Sequence, residues 1–200
     1  MTEHYYSSNP SVESKPFTFQ YNLKGHSFIF TSDLGVFSKN EVDFGSKLLI
    51  ETINIPAVEG NILDVGCGYG PIGLTLAKEY SDCHVEMVDV NERALQLARK
   101  NSELNNINNV SIYQSNLFEN VKDQSFAAIV TNPPIRAGKK VVHDLFEQSY
   151  KHLTNGGELW IVIQKKQGAP SAIEKLESLF AEVEVVAKKK GYYIIKSKKC

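Results

Sequence analysis

After residue 60, the pattern of hydrophobic and polar positions switches repeatedly between one typical of a buried strand and one typical of an amphipathic helix. Short apolar runs have the length of buried strands and occur at residues 62–65, 85–90, 110–113, 127–130 and 158–163. Helical spacing of apolar residues separates most of them, at residues 71–80, 92–105, 140–153 and 169–180. Strands that alternate with helices predict an α/β fold whose mostly parallel sheet is covered by helices on both faces.

The last two predicted strands, at residues 183–186 and 192–195, have no helix between them. Only the residues Ala-Lys-Lys-Lys-Gly lie between them. A parallel pair needs a crossover of a dozen or more residues, so this link is too short. We therefore expect the sheet to end in an antiparallel hairpin.

The part of the chain before residue 60 forms a small accessory region in this interpretation. Residues 1–16 are polar and are expected to form a loose tail. Alternating aromatic residues on both sides of Gly25 predict a hairpin, and residues 41–53 have the pattern of an amphipathic helix. We expect one domain over residues 1–200, with the accessory region at residues 17–59 and the core at residues 60–200.

Composition and charge indicate the class of protein but do not indicate what it binds. The chain of 200 residues is 42% hydrophobic and 22% charged, with a net charge of −1, which is typical of a globular protein. The basic residues are unevenly placed, because the last thirteen residues contain six lysines and no acid. Three cysteines without a C-x-x-C pair argue against a disulfide framework or a zinc site. Without a signal-like or membrane-spanning run, we expect a cytoplasmic protein without a membrane partner.

A glycine-rich turn follows the first strand of the core. Gly66, Gly68 and Gly70 stand at alternate positions between a predicted strand and a predicted helix. Glycine lets the backbone turn tightly and approach a ligand where a Cβ would clash. Asp89 ends the next strand, where a carboxylate can accept both hydroxyls of a ribose. The two features together predict a ligand that contains adenosine.

Two further residues make the prediction of that ligand more specific. Asp64 precedes the glycines, and an acid there repels a pyrophosphate but suits a ligand with an ammonium group, such as S-adenosylmethionine. The G-x-G-x-G spacing also differs from the G-x-G-x-x-G of nicotinamide dehydrogenases. Asn116 ends the following strand, where its amide can bond the adenine edge or simply form an Asx turn.

The chemistry is expected at Asn132, Pro133, Pro134 and Ile135, after the strand at residues 127–130. The prolines fix the backbone and remove two donors, so that the Pro133 carbonyl and the Asn132 side chain present two acceptors. Two acceptors suit the two protons of an exocyclic amino group and direct its lone pair at an electrophilic methyl group. Alone, the tetrapeptide is better explained as a rigid turn. Its position after the glycine motif favours catalysis.

Taken together, these motifs resemble the class I S-adenosylmethionine-dependent methyltransferases that act on exocyclic amino groups. Residues 35–38 (Gly-Val-Phe-Ser) and the run Asp43-x-Gly45-Ser46-x-Leu48-Leu49 narrow the resemblance. With them, the chain is similar to the catalytic domain of the bacterial small-subunit ribosomal RNA guanine-N2 methyltransferase family. The resemblance implies a seven-stranded Rossmann-like methyltransferase fold and an RNA partner, either ribosomal RNA or the small ribosomal subunit. It also implies that S-adenosyl-L-methionine is held by Asp64, Gly66, Gly68, Gly70, Asp89, Asn116 and Asp43, with residues 35–46 folded over it.

Two positions depart from the family pattern. An acid often stands where this chain has Asn116, and an aromatic residue often stands where it has Ile135. Arg136 or Phe37 is expected to supply the missing stacking surface. Arg136 and Lys139 are candidates for holding phosphate beside the reaction motif, although solvated side chains explain them as well.

Two other functions remain open at this point. An asparagine followed by two prolines also suits the amide nitrogen of a protein glutamine, which predicts a glutamine N-methyltransferase. The chain is also compatible with a cofactor-binding RNA assembly factor that has lost catalysis. The intact Asn132-Pro133-Pro134 run argues against the second.

Overall fold

The computed structural model describes residues 13–36, 41–122 and 125–200. Most of the expected loose tail therefore lies outside the described residues. In chain order the strands and helices are β1 (Phe17–Leu23), β2 (His26–Ser32), α1 (Phe44–Thr52), β3 (Asn61–Val65), α2 (Pro71–Glu79), β4 (Val85–Asp89), α3 (Glu92–Leu104), β5 (Val110–Gln114), β6 (Phe126–Thr131), α4 (Lys139–His152), β7 (Leu153–Gln164), α5 (Ala169–Leu179), β8 (Glu182–Lys189) and β9 (Tyr192–Lys198). None of the helices in the described part of the chain is long and apolar enough to cross a membrane.

Seven strands form the main sheet in the order β5-β4-β3-β6-β7-β9-β8. The first five of these pair in parallel, and β9 runs antiparallel to both β7 and β8. The predicted fold class, with its parallel sheet and its antiparallel hairpin at the end, is confirmed. The connection from β8 to β9 is a tight turn because it has too few residues to cross over the sheet.

Two hydrophobic clusters pack against the two faces of this sheet. Ile62 and Leu63 are neighbours in β3 but belong to different clusters, since successive strand residues face opposite sides. One cluster includes buried residues of α1, α2 and α3, and the other includes those of α4 and α5. This is the layered arrangement that alternation in the sequence predicts.

Local sequence explains where several helices begin. The side chain of Asn91 accepts a hydrogen bond from the backbone of Ala94 and caps α3. Asp43 caps α1 in the same way through the backbone N–H of Ser46, and Pro71 occupies the first turn of α2. Both capped helices start beside the carboxyl edge of the sheet, since Asn91 follows the end of β4 and Asp43 contacts Asn132 after the end of β6.

The accessory hairpin, β1 with β2, is a separate two-stranded sheet whose outer edge is covered by α3. The side chain of Asn101 accepts from the backbone N–H of Thr31 at 2.7 Å and donates to its carbonyl at 3.0 Å. Asn105 makes the same pair of bonds with Ile29, at 2.9 and 2.8 Å. Two asparagine side chains thus replace the neighbouring strand that the edge of β2 would otherwise need.

Candidate active site

The carboxyl edge of the sheet brings the predicted site residues together. Val65 lies opposite Val88 and Asp64 lies opposite Val130 in the parallel ladders. Extending each register past the strand ends places Gly66 level with both Asp89 and Asn132. A cleft opens there, lined by Val36, Asp43, Ser46, Val65, Gly66, Cys67, Gly68, Tyr69, Pro71, Ile72, Asp89, Val90, Asn91, Ala94, Ser115, Leu117, Asn132 and Pro134.

The glycines of the turn serve two different purposes. Gly66 and Gly68 have φ of +76° and +57°, and a Cβ on either would meet no other atom within 4 Å. Gly70 has φ of +104°, and a Cβ there would lie 2.8 Å from the Leu74 side chain. The first two glycines therefore leave open space for a ligand, whereas Gly70 permits the close packing of α2 on the turn.

Asp89 holds the glycine turn in place as well as facing the cleft. One carboxylate oxygen accepts from the backbone N–H of Gly68 at 2.8 Å, and the other accepts from that of Asn91 at 2.9 Å. Burial raises the pKa of Asp89, and the backbone donors act in the opposite direction. Each oxygen keeps a lone pair for a further donor, such as a ribose hydroxyl.

Asp64 is fully buried and lies outside the cleft lining. One oxygen, Oδ2, accepts from the backbone N–H of Gly73 in α2 at 2.8 Å. The other, Oδ1, is buried and accepts no hydrogen bond from any described residue. Burial, with a smaller contribution from Asp89, raises the pKa of this carboxyl to about 7. The chain thus keeps an unpaired buried acceptor in the residue next to Val65, which lines the cleft, and an acceptor of this kind fits a cationic ligand group.

The end of β5 differs in detail from the expectation for Asn116. That side chain is exposed, and its amide donates to the carboxylate of Glu119 at 3.0 Å. Its neighbours Ser115 and Leu117 line the cleft instead. Leu117 adopts a left-handed conformation with φ of +51°, which is uncommon for a residue other than glycine. The adenine contact assigned to Asn116 therefore stays a prediction, and Leu117 is an apolar surface that sequence reasoning did not single out.

Asn132 is oriented by the first turn of α1. Its side-chain amide nitrogen lies 3.1 Å from the Ser46 hydroxyl and 3.5 Å from a carboxylate oxygen of Asp43. Because a carboxylate can only accept, the NH₂ group of Asn132 faces Asp43, and its carbonyl oxygen accepts no hydrogen bond from the residues that the structure describes. Asp43, proposed from sequence as a cofactor contact, also lines the cleft.

The two prolines form a tight turn after Asn132. Pro134 has φ of −75° and ψ of 74°, and the Pro133 carbonyl accepts from the backbone N–H of Ile135 at 2.8 Å, which together form an inverse γ-turn. One of the two lone pairs of this carbonyl is therefore engaged, and the other remains for a further donor. Ile135 is half-buried against the hydrophobic cluster under α4 and α5.

Predicted substrate-binding residues lie further out. Arg136 is exposed in the short 3-10 turn before α4, and Lys139 is exposed at the first residue of α4. Phe37 lies outside the described residues, as does part of the segment expected to fold over the cofactor. Val36, just before the gap, and Ser46, after it, line the cleft, so the accessory region supplies one of its walls.

The structure also identifies supports that the sequence did not reveal. The ring of Tyr69 in the glycine turn packs edge-on against Phe30 of the hairpin, with centroids 5.8 Å apart. The side chain of Asn101 donates to the Tyr69 carbonyl at 2.8 Å, and the Thr131 hydroxyl donates to the Val65 carbonyl at 2.8 Å. The only signal for such contacts is a polar or aromatic residue beside a motif, which does not identify its partner.

Neither thiol chemistry nor metal chemistry has a site here among the described residues. Burial raises the pKa of the Cys67 thiol well above its ordinary value, and the nearby carboxylates of Asp89 and Asp64 act in the same direction. The described residues contain no group of three or more side chains able to hold a metal ion.

Comparison with known proteins places this geometry in a family. The model of the methyltransferase small domain family matches residues 27–196. A protein from Bacillus subtilis with the name uncharacterized protein YbxB is 66% identical over 200 residues, covering 100% of each chain. Ribosomal RNA small subunit methyltransferase C from Aliivibrio fischeri is 32% identical over 185 residues, which cover 90% of this chain and 52% of that protein. The chain thus spans about half the length of the relatives with this name.

Among solved structures, the 16S rRNA N2 G1207 methyltransferase (RsmC) of T. thermophilus, in complex with AdoMet and guanosine, superposes with a TM-score of 0.82 at 26% identity. The match covers 96% of this chain and 52% of that one. The ribosomal protein L11 methylase of Lactobacillus delbrueckii superposes with a TM-score of 0.65 at 21% identity, over 78% of this chain and 79% of that one, which shows a common fold.

Proposed function

Because the chain belongs to the methyltransferase small domain family and its cofactor is S-adenosylmethionine, we propose that it methylates the exocyclic N2 of guanine in ribosomal RNA. The observation that carries the proposal is the orientation of Asn132, whose carbonyl oxygen is left free at the cleft by Asp43 and Ser46. The relatives named for small-subunit ribosomal RNA support the choice of acceptor.

The residues of the cleft fit the cofactor part by part. Gly66 and Gly68 leave open space where a side chain would obstruct it. Asp89 retains lone pairs for the ribose hydroxyls, and Leu117 offers an apolar surface at the end of β5. The buried carboxylate of Asp64 favours a cationic group nearby, such as the methionyl ammonium. When bound, S-adenosylmethionine supplies an electrophilic methyl group on a sulfonium.

The acceptor amine is held by two oxygens. The free carbonyl oxygen of Asn132 accepts one N–H, and the remaining lone pair of the Pro133 carbonyl accepts the other. Fixing both protons disfavours delocalisation of the nitrogen lone pair into the base and directs that pair toward the cleft. The chain contributes orientation and electrostatics, since no strong base is required.

The reaction is a single displacement. With the cofactor held at the glycine turn and Asp89, the amine nitrogen held by Asn132 and Pro133 would displace sulfur from the methyl group, the S–C bonding pair would stay on sulfur, and the nitrogen would release one proton to water. The nitrogen becomes acidic only as the methyl group arrives. Asn132 therefore needs to remain an acceptor throughout and does not need to titrate.

The proposal is tested by nucleoside mass spectrometry of small-subunit ribosomal RNA from cells with and without the protein. We expect one N2-methylguanosine that disappears with the protein and returns when purified protein and S-adenosylmethionine are added to that RNA. Methylation of a protein glutamine in the same samples, with unchanged RNA, would instead support the alternative function. Cofactor binding without any methyl transfer would support the assembly-factor alternative.

A further inference from the structure

The carboxyl edge of the sheet is divided between two sets of strands. The cofactor-binding residues follow β3, β4 and β5, which lie on one side of β6. On the other side come β7, β9 and β8, and the loops after β6 and β7 and between β8 and β9 meet the same edge. Three strand spacings of about 4.8 Å carry this second half about 14 Å beyond Asn132.

Positive charge is concentrated on that second half. Eight basic residues lie in these three loops or in the helix and strand ends that flank them, namely Arg136, Lys139, Lys140, Lys165, Lys166, Lys188, Lys189 and Lys190. We call this set the basic edge. All eight are exposed, and none forms an ion pair with another described residue.

The charge is local and does not reflect the whole chain. The basic edge has 8 of the 22 Lys and Arg residues, and residues 132–143, 164–173 and 187–193 contain no acid. The remainder of the chain therefore holds 14 basic against 23 acidic residues. Such a contrast creates a directed field at one edge of a protein that is slightly acidic in total.

Direct contacts connect the far end of the basic edge to the reaction motif. The backbone N–H of Lys165 donates to the Gly191 carbonyl at 2.9 Å, which joins the loop after β7 to the turn between β8 and β9. The ammonium group of Lys190 lies 4.7 Å from the ring centroid of Phe44. Phe44 follows Asp43, whose carboxylate contacts Asn132. The turn between β8 and β9 thus packs on the helix that orients the reactive side chain.

We propose that the basic edge is the docking surface for the phosphate backbone of the RNA substrate, laid across β6, β7, β9 and β8 while the target base enters at Asn132. This inference rests on the proposed function for its choice of RNA. The surface lies along the same edge as the cofactor cleft but on the other side of β6, so the acceptor strand and the cofactor would reach the reactive position from neighbouring halves of the edge. Phosphate contacts of this kind fix the register of the nucleic acid and add no sequence preference.

The test compares two triple variants of equal charge. The first is Lys166→Gln with Lys188→Gln and Lys189→Gln, in the part of the basic edge beyond the reaction motif, and it leaves Lys190 in place because that side chain packs on Phe44. The control is Lys100→Gln with Lys122→Gln and Lys151→Gln, which are exposed lysines outside the basic edge. Both are measured for binding to small-subunit ribosomal RNA made in vitro as the salt concentration is varied, for methyl transfer to that RNA, and for calorimetric binding of S-adenosylhomocysteine.

We expect the first variant to bind RNA at least about tenfold more weakly near 150 mM salt, with a smaller dependence of binding on salt, since each lost phosphate contact removes about 0.7 from the slope of log K against log salt. Its KM for RNA rises while kcat at saturating RNA and S-adenosylhomocysteine binding stay unchanged. The control behaves as the wild type in all three assays.

The outcomes separate the two proposals. Equal RNA affinity and equal salt dependence in the two variants overturn the docking surface, whether or not RNA is methylated. A wild type that binds RNA through these lysines but transfers no methyl group to it overturns the proposed function and leaves the surface standing. Loss of binding to small-subunit proteins, with RNA binding unaffected, would mean that the basic edge holds an acidic protein and would overturn the inference.

Discussion

Replacing Asp64 with asparagine should make the protein without cofactor more stable while weakening its hold on S-adenosylmethionine. The native pKa of about 7 exceeds the ordinary value of 3.8, because the carboxyl is fully buried with one oxygen unpaired. The folded protein therefore binds this proton more tightly than the unfolded chain does. Stability contributed by the protonated carboxyl is complete below about pH 4 and is lost as the pH rises through about 7.

The size of the effect follows from that shift. A difference of about three pKa units corresponds to about 4 kcal/mol at pH 8, where the wild type must keep a charge buried. The introduced asparagine would retain an acceptor for the backbone N–H of Gly73 and carry no charge. We expect Asp64→Asn to raise the free energy of unfolding by about 1 to 4 kcal/mol at pH 8, and this effect to be about 2 to 3 kcal/mol smaller at pH 5, where the folded carboxyl is neutral and only the unfolded chain gains by ionising.

Urea unfolding of the wild type and the variant at both pH values, without cofactor, measures the difference, and thermal unfolding should follow it at about 2 to 4 °C per kcal/mol. Asp82→Asn, at an exposed carboxylate, is the matched control and should change little at either pH. Calorimetry should show S-adenosylmethionine binding to Asp64→Asn weakened about tenfold or more. The reasoning fails if the variant is destabilised at pH 8, or if its stability differs from that of the wild type by the same amount at both pH values.

Three further predictions concern the site and its support. Asn132→Ala should leave S-adenosylhomocysteine binding within about twofold by calorimetry and lower methyl transfer at least about 100-fold, and equal losses in both would contradict its role as an acceptor. Asn101→Ala should lower the free energy of unfolding by about 2 to 4 kcal/mol, because it strands buried backbone groups of the hairpin and of the glycine turn, and an unchanged urea midpoint would refute this. Gly68→Ala should cost about 1 kcal/mol of stability but block cofactor binding, whereas Gly70→Ala should cost clearly more in unfolding experiments because its Cβ would clash with Leu74.

The order and type of the elements followed from the sequence because they depend on local patterns. Apolar runs, the cap at Asn91 and the short link between β8 and β9 each act over a few residues. The turn that follows β6 could be predicted only in part. The sequence predicted that Asn132 stands at the reaction position, and this stays a prediction. The bond from Ile135 to the Pro133 carbonyl depends on turn geometry, which two adjacent prolines alone do not specify.

Side-chain contacts between residues far apart in the sequence could not be predicted, for a different reason. Ser46 and Asn132 are 86 residues apart, and Asn101 and Thr31 are 70 residues apart. Polar residues of these types stand in helices and turns throughout the chain, so nothing local distinguishes those with a distant partner. Likewise, the sequence shows an acid at residue 64 before the glycines, but only the packing of the folded chain shows that one oxygen of Asp64 has no donor among the described residues.

The bonds of Asn101 also bear on amide hydrogen exchange. One side chain connects the backbone of Thr31 in the hairpin to that of Tyr69 in the glycine turn. A ligand that holds the glycine turn closed therefore also suppresses local opening of β2, although the hairpin itself need not touch the ligand. Exchange at the Thr31 amide should consequently slow when the cleft is filled, making the accessory hairpin a reporter of cofactor occupancy.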